Sequence, residues 1–201
     1  MGRPLVSERP PSFLPGLALA AAGSIAFSGK AIIVKLAYRH GGDAVTLLMY
    51  RMLFALPLFA LMAWWAGRGK PRLTGREAVG VLWLGFTGYY LASYLDFVGL
   101  QYITASLERL ILYLNPTLVL LLGWVLYGQR IGRHRAVGMA VSYCGVVLVF
   151  GHQLTLDGRA VAWGSLLVFL STISYALYLS YSGELVRRLG ALRLAGLATT
   201  V

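Results

Sequence analysis

TASLERLILYLNPTLVLLLGWVLY, residues 104–127, decides the fold. A membrane-spanning helix needs about 20 mainly apolar residues, and this run is long enough. Nothing in it alternates apolar and polar residues as a transmembrane strand does. It carries Glu108, Arg109 and Pro116 inside the apolar sequence. Similar runs lie on either side: Leu14–Ala37, Ala44–Ala66, Ala78–Val98, Ala136–Phe150 and Ala160–Ser182. The run 136–150 is the shortest of the six. A seventh begins near Leu194.

Composition agrees. Of 201 residues, 58% are hydrophobic and 12% charged, and mean hydropathy is +0.71. A soluble domain has about 45–50% apolar and about 25% charged residues. One small core cannot hide this much apolar surface. The same numbers exclude a disordered chain. Cys144 is the sole cysteine, which excludes a disulfide framework. The first run continues past Gly23 to Ala37, longer than a signal peptide's apolar region of about 7–15 residues. It reads as a retained helix. The fold class is therefore an all-α membrane protein, a multi-pass helical bundle.

Net charge is +11. In a soluble chain this would suggest nucleic acid. Here Arg3, Arg9, Arg68, Lys70, Arg72, Arg76, Arg130, Arg133, Arg135, Arg187, Arg188 and Arg193 all fall on one side of the alternating runs. The other side holds Arg39 and Arg159. Basic short loops stay cytoplasmic. The asymmetry places the N-terminus inside and gives no reason to invoke nucleic acid.

The remaining basic residues, Lys30, Lys35, Arg51 and Arg109, lie within the runs, together with Asp96 and Glu108. Counting from the outer helix ends puts Lys30 and Arg51 roughly 10 Å deep, Glu108 about 6 Å and Asp96 about 3 Å. Lys35 and Asp96 are near enough to the interface to snorkel. Lys30, Arg51, Glu108 and Arg109 are expected to face one polar space in the outer half of the bundle, because lipid exposure is costly. Excess positive charge there favours an anionic group on a ligand. The same charges would also serve as a structural lock.

Further polar positions share faces. Asn115 is seven residues from Glu108, and Tyr94 lies one turn from Tyr90. Pro116 removes a backbone bond to residue 112 and is expected to bend its helix. The small pairs Ala18/Ala22 and Gly138/Ser142 are expected to allow close helix packing. His40, His134 and His152 fall in separate loops, and neither HExxH, CxxC nor a P-loop occurs. A cofactor, a metal site, ATP-driven pumping and a membrane enzyme are therefore not expected.

An offset of 148 residues lays Ile25 on Ile173, Arg39 on Arg187 and Gly42 on Gly190. The sixth run then answers the first, and a five-helix repeat would be followed by a second one inserted upside down, as in alternating-access transporters.

These residues resemble the EamA-type branch of the drug/metabolite transporter superfamily. The resemblance rests on Gly29–Ala37 with its lysine, Arg51 followed by Met52–Pro57, and Leu100–Pro116. Gln129 in Gly128-Gln129-Arg130 departs from the family's usual Gly-Glu-Arg. The resemblance implies a cytoplasmic tail (1–13), a first repeat (14–154) and the start of a second (155–201). It also implies a gradient-driven carrier of a small metabolite in the plasma membrane. Partners would be the lipid bilayer, a small substrate and a coupling ion such as a proton linked to Glu108. A homodimer and a non-transporting membrane protein remain open alternatives.

Overall fold

The computed structural model describes residues 13–129, 132–150 and 158–201. These form α1 (Phe13–Arg39), α2 (Ala44–Gly67), α3 (Gly75–Gly85), α4 (Ala92–Tyr102), α5 (Ala105–Leu112), α6 (Asn115–Tyr127), α7 (Arg133–Phe150), α8 (Arg159–Leu189) and α9 (Ala191–Thr200). No strand occurs among the described residues. A π turn, Phe86–Leu91, joins α3 to α4, so Gly75–Tyr102 is one continuous rod.

Five stretches are long and apolar enough to cross a membrane: Gly16–Arg39, Ala44–Gly67, Gly75–Tyr102, Ala105–Tyr127 and Arg159–Leu189. Large side chains such as Phe54, Leu58, Val125 and Trp163 point outward. That is the pattern of a bundle solvated by lipid, where outward apolar groups meet acyl chains. The chain is an all-α, multi-pass membrane protein. The sixth run expected to cross, 136–150, is helical as well. It folds as α7, whose first turn carries Arg133, His134 and Arg135, and it is not among the five. Residues 151–157 lie outside the described residues.

Polar caps set several helix starts. Asp43 accepts from the N–H groups of Val45 and Thr46 at the head of α2. Hydrogen bonds from Thr46, and secondarily from Val45, hold the Asp43 carboxyl below the ordinary carboxylate range. Thr74 and Glu77 form a reciprocal capping box, which moves the start of the third rod to Gly75. At the end of α6, Gly128 takes a left-handed φ of 62°. Its N–H reaches the Trp124 carbonyl, the bond of a left-handed helix cap, and that of Gln129 reaches Gly123.

The fourth rod is broken. Tyr113 and Leu114 form a turn between α5 and α6. Pro116 sits in the first turn of α6, where a missing N–H leaves no bond unmade. The Tyr143 hydroxyl of α7 is 3.3 Å from the Tyr113 carbonyl at the break and also pairs with the Thr117 hydroxyl.

Glycines bring α8 against the third rod. A Cβ on Gly99 would lie 2.6 Å from Val168 Cγ2, and one on Gly164 would lie 2.9 Å from the Gly99 carbonyl oxygen. Further along, Ser171 donates to the Ala92 carbonyl at 2.6 Å and Ser174 to the Thr87 carbonyl at 2.8 Å. Tyr178 packs on Gly88, and Leu185 on Gly80. Rising numbers on α8 meet falling numbers on the rod, so the two run antiparallel. In membranes such backbone proximity replaces the hydrophobic drive available in water.

The small pairs expected from sequence do not pack this way. Ala18, Ala22 and Ser142 are exposed, and a Cβ on Gly138 would meet nothing within 4 Å. α1 packs through Ala31 and Val34 on a core shared with Ala44, Leu48, Phe97 and Leu100. α8 packs chiefly on α4 and α6, so α1 and α8 both lean on α4.

A buried charge cluster as the candidate functional site

Three elements meet at the cluster: α1, α4 and α5. Lys30 projects from α1, Asp96 from α4, and Glu108 and Arg109 are neighbours on α5. The Lys30 ammonium pairs with Asp96 Oδ2 and lies 3.2 Å from Glu108 Oε1. Arg109 Nε lies 3.2 Å from Glu108 Oε2. Glu108 is 0% exposed and Asp96 3%. Two cations therefore balance two carboxylates inside the bundle.

The balance is incomplete at the level of single atoms. Asp96 Oδ1 and both Glu108 oxygens are buried without a hydrogen bond of good geometry. The contacts to Glu108 are Coulombic rather than aligned donor–acceptor bonds. Such a group is costly to keep buried and is held only by its neighbours.

Arg109 also ties α5 to α1. Its Nη2 donates to the carbonyls of Phe27 at 2.7 Å and Ser28 at 3.2 Å, and its guanidinium lies 4.9 Å from the Phe27 ring centre. Beside it is a cleft of about 440 Å³, lined by Gly23, Ser24, Phe27, Ser28, Arg109, Leu112 and Tyr113. The helix break thus forms part of its wall. Lys35 donates to the Leu100 carbonyl at 2.8 Å and Tyr38 to the Phe97 carbonyl at 2.7 Å, anchoring α1 along α4.

The structure brings Lys30, Glu108 and Arg109 together. Arg51 is not part of the ion-pair chain. It bonds Ser93 Oγ at 3.3 Å, and its guanidinium lies 5.6 Å from the Phe97 ring, with the Lys30 ammonium 5.9 Å from the same ring. Tyr94 is exposed and stacks on Tyr90. Asn115 is half-buried past the break, its Oδ1 without a hydrogen-bond partner. Asp96, near enough to the interface by sequence to snorkel, is buried at the centre. The reason is helix length. The third rod runs to Tyr102 rather than Val98, and four more residues add roughly 6 Å of depth.

A helical bundle with ionised groups buried between its crossings defines a class of membrane protein in which polar interiors mark a pathway or a lock. Comparison narrows the class. Residues 14–151 match the EamA-like transporter family, and the chain belongs to it. Uncharacterized transporter YcbK of Bacillus subtilis (strain 168) is 32% identical over 183 residues, covering 86% of this chain and 55% of YcbK. Uncharacterized transporter YyaM of the same organism is 30% identical over 105 residues, 51% of this chain and 34% of YyaM. An uncharacterized transporter of Archaeoglobus fulgidus is 28% identical over 155 residues, 76% of this chain and 52% of its own length. The chain thus spans about half the length of the curated relatives it matches. No solved structure matches it at a significant level.

Proposed function

We propose that this chain carries the first repeat, 14–154, and the start of an inverted second repeat, 155–201, of a gradient-driven transporter for a small metabolite. The observation that carries the reading is Glu108: a fully buried carboxylate, 3.2 Å from each of two cations, with no aligned hydrogen bond on either oxygen. A group so held changes partners with little geometric penalty. Protonation of Glu108 removes its charge from beside Lys30, which keeps Asp96, and from beside Arg109. Arg109, still held by the Phe27 and Ser28 carbonyls, then offers an unpaired charge to a substrate in the cleft beside Phe27 and Tyr113. A proton gradient supplies the energy, and a ligand with an anionic group is the favoured cargo. The family and its relatives, described as transporters, support the coarse reading.

The test is flux. Proteoliposomes loaded with a panel of labelled anionic, zwitterionic and neutral metabolites should show transport of at least one when a pH gradient is imposed. A protonophore should collapse it, and ATP should not replace the gradient. ATP-dependent flux, or gradient-insensitive flux of every substrate moved, would exclude the coupling. A buried cluster acting as a structural lock gives no flux at all, and its loss then shows only as lower stability.

The orientation proposed with it places the N-terminus and the 67–76 loop in the cytoplasm of a cell whose plasma membrane holds the protein. In a Cys144→Ser background, a single cysteine at Arg72 should label only after the membrane is permeabilised. One at His40 should label from outside on intact cells. The reverse pattern would invert the topology.

A further inference from the structure

We propose that the end of the bundle where α2 and α8 finish is a binding site for an anionic phospholipid, with its phosphodiester at Lys70 and Arg193 and one acyl chain in the groove between α2 and α9. Two adjoining clefts carry this. The first, about 380 Å³, is lined by Trp65, Ala66, Lys70, Gly190, Ala191, Leu192 and Arg193. The second, about 570 Å³, is lined by apolar residues including Leu56, Ala60, Ala63 and Leu197, and it shares Arg193 with the first. A charged mouth therefore opens directly into an apolar trough.

Among the described residues neither cation at the mouth forms an ion pair, and Glu77 acts on Arg193 only from a distance. Lys70 Nζ donates to the Leu189 carbonyl at 3.1 Å, and Arg193 Nη2 to the Pro71 carbonyl at 3.0 Å. These neutral acceptors fix both side chains without neutralising them. Gly190, with φ of 86°, lets the chain turn from α8 into α9 within 3.2 Å of the Lys70 ammonium, measured from where a Cβ would stand. The same end also carries Arg68, Arg72, Arg76, Arg187 and Arg188, against Glu77 and Glu184. Glu184 is spoken for by Arg188 at 3.1 Å. Seven bases against two acids leave a net charge of +5 at this interface.

The trough argues for a lipid rather than a free anion. From Leu56 to Gly67 the α2 wall rises roughly 16 Å at about 1.5 Å per residue. That matches one leaflet, half of a hydrocarbon core about 30 Å thick. Trp64 and Trp65 stand exposed at the mouth, and Arg68 lies 3.9 Å over the Trp64 ring. Tryptophan at headgroup level is the usual membrane-interface anchor. Basic pockets between spanning helices take anionic headgroups by the same electrostatics.

The experiment uses the full-length protein in nanodiscs, with tryptophan fluorescence quenched by brominated lipid. Brominated phosphatidylglycerol should quench more strongly than brominated phosphatidylcholine, with a preference of about tenfold in apparent affinity. The double substitution Lys70→Gln, Arg193→Gln should bring the two lipids to parity. Lys70→Arg with Arg193→Lys should keep the preference, as should Arg187→Gln at the same end but outside the cleft. If the neutral pair fails to fold, the wild-type preference must still fall as salt is raised. Equal quenching by both lipids in the wild type would overturn the site. So would an equal loss in Arg187→Gln, which marks a diffuse basic belt. Displacement by millimolar inorganic phosphate would reassign the mouth to a soluble anion. Insensitivity to either brominated lipid would mean that another part of the protein fills the trough.

Discussion

Glu108→Gln is expected to bring gradient-driven flux in proteoliposomes down to the level of protein-free vesicles, while exchange of substrate between equilibrated compartments continues. The amide has the carboxylate's shape and still offers an oxygen to Lys30 or Arg109, so the packing around α5 stays filled. What it lacks is a titratable proton. Lys30 keeps Asp96, and Arg109 keeps the carbonyls of Phe27 and Ser28. Losing one charge-assisted partner in a buried site costs about 1–3 kcal/mol, which thermal unfolding in detergent measures separately. A protein that is folded, exchanges substrate and no longer responds to a gradient assigns coupling to this carboxylate. Undiminished gradient-driven flux would remove Glu108 from that role. Loss of the folded state alone would favour the structural lock.

The second large effect is steric. Gly164→Leu and Gly99→Leu should each push α8 off α4 and leave little folded protein. Even Gly164→Ala should destabilise. Its Cβ would lie 2.7 Å from Tyr102 Cβ, 2.8 Å from Ile103 Cγ2 and 2.9 Å from the Gly99 carbonyl oxygen. Two of those neighbours are rooted close to the backbone and the third is backbone itself, so little can move aside. Forcing a methyl group into a filled space costs about 1–3 kcal/mol. Alanine's helix preference over glycine returns up to about 1 kcal/mol. The steric term is the larger. Gly138→Ala meets nothing within 4 Å and should be neutral or mildly stabilising. Midpoints of thermal unfolding in detergent separate the cases, and equal midpoints for Gly164→Ala and Gly138→Ala would contradict the packing.

Much of this architecture is written in one dimension. Apolar length predicts every helical rod, because hydropathy is a property of a single segment. Ends are harder. α8 continues past Ser182 to Leu189 because Glu184 and Arg188 support one another across a helical turn. The third rod begins earlier than its apolar run because Thr74 and Glu77 cap each other. The break before Pro116 falls at Tyr113 and Leu114, three residues or fewer upstream, where the turn closes on the Ile111 carbonyl.

The site is legible in depth but not in bearing. Distance from a helix end gives Lys30 and Glu108 similar levels, and the structure joins them. It says nothing of which way a side chain turns about its axis. Arg51 joins the expected cluster on level alone, and Tyr94 is a pathway candidate only through the face it shares with Tyr90. Tyr94 turns outward, and Arg51 stands off beside Phe97. Gly99 and Gly164 escaped notice because their pairing is between helices, whereas the small pairs singled out lay within one helix. Gly88 and Gly99, three turns apart on the rod that α8 covers, were the available signal.

The π turn at Phe86–Leu91 gives this bundle a particular evolutionary geometry. Such a turn holds one residue more than an ordinary helical turn, as an insertion would leave it. Each residue of an α-helix advances the face by about 100°. The π turn winds by less per residue, so its extra residue is absorbed where it stands. Removing one residue within 86–91 would turn this stretch into ordinary α-helix and leave Asp96 facing the lysine on the first helix. Removing one from the regular helix of α3 would instead swing Asp96 away by that angle, although the length and hydropathy of the rod would be the same in both cases.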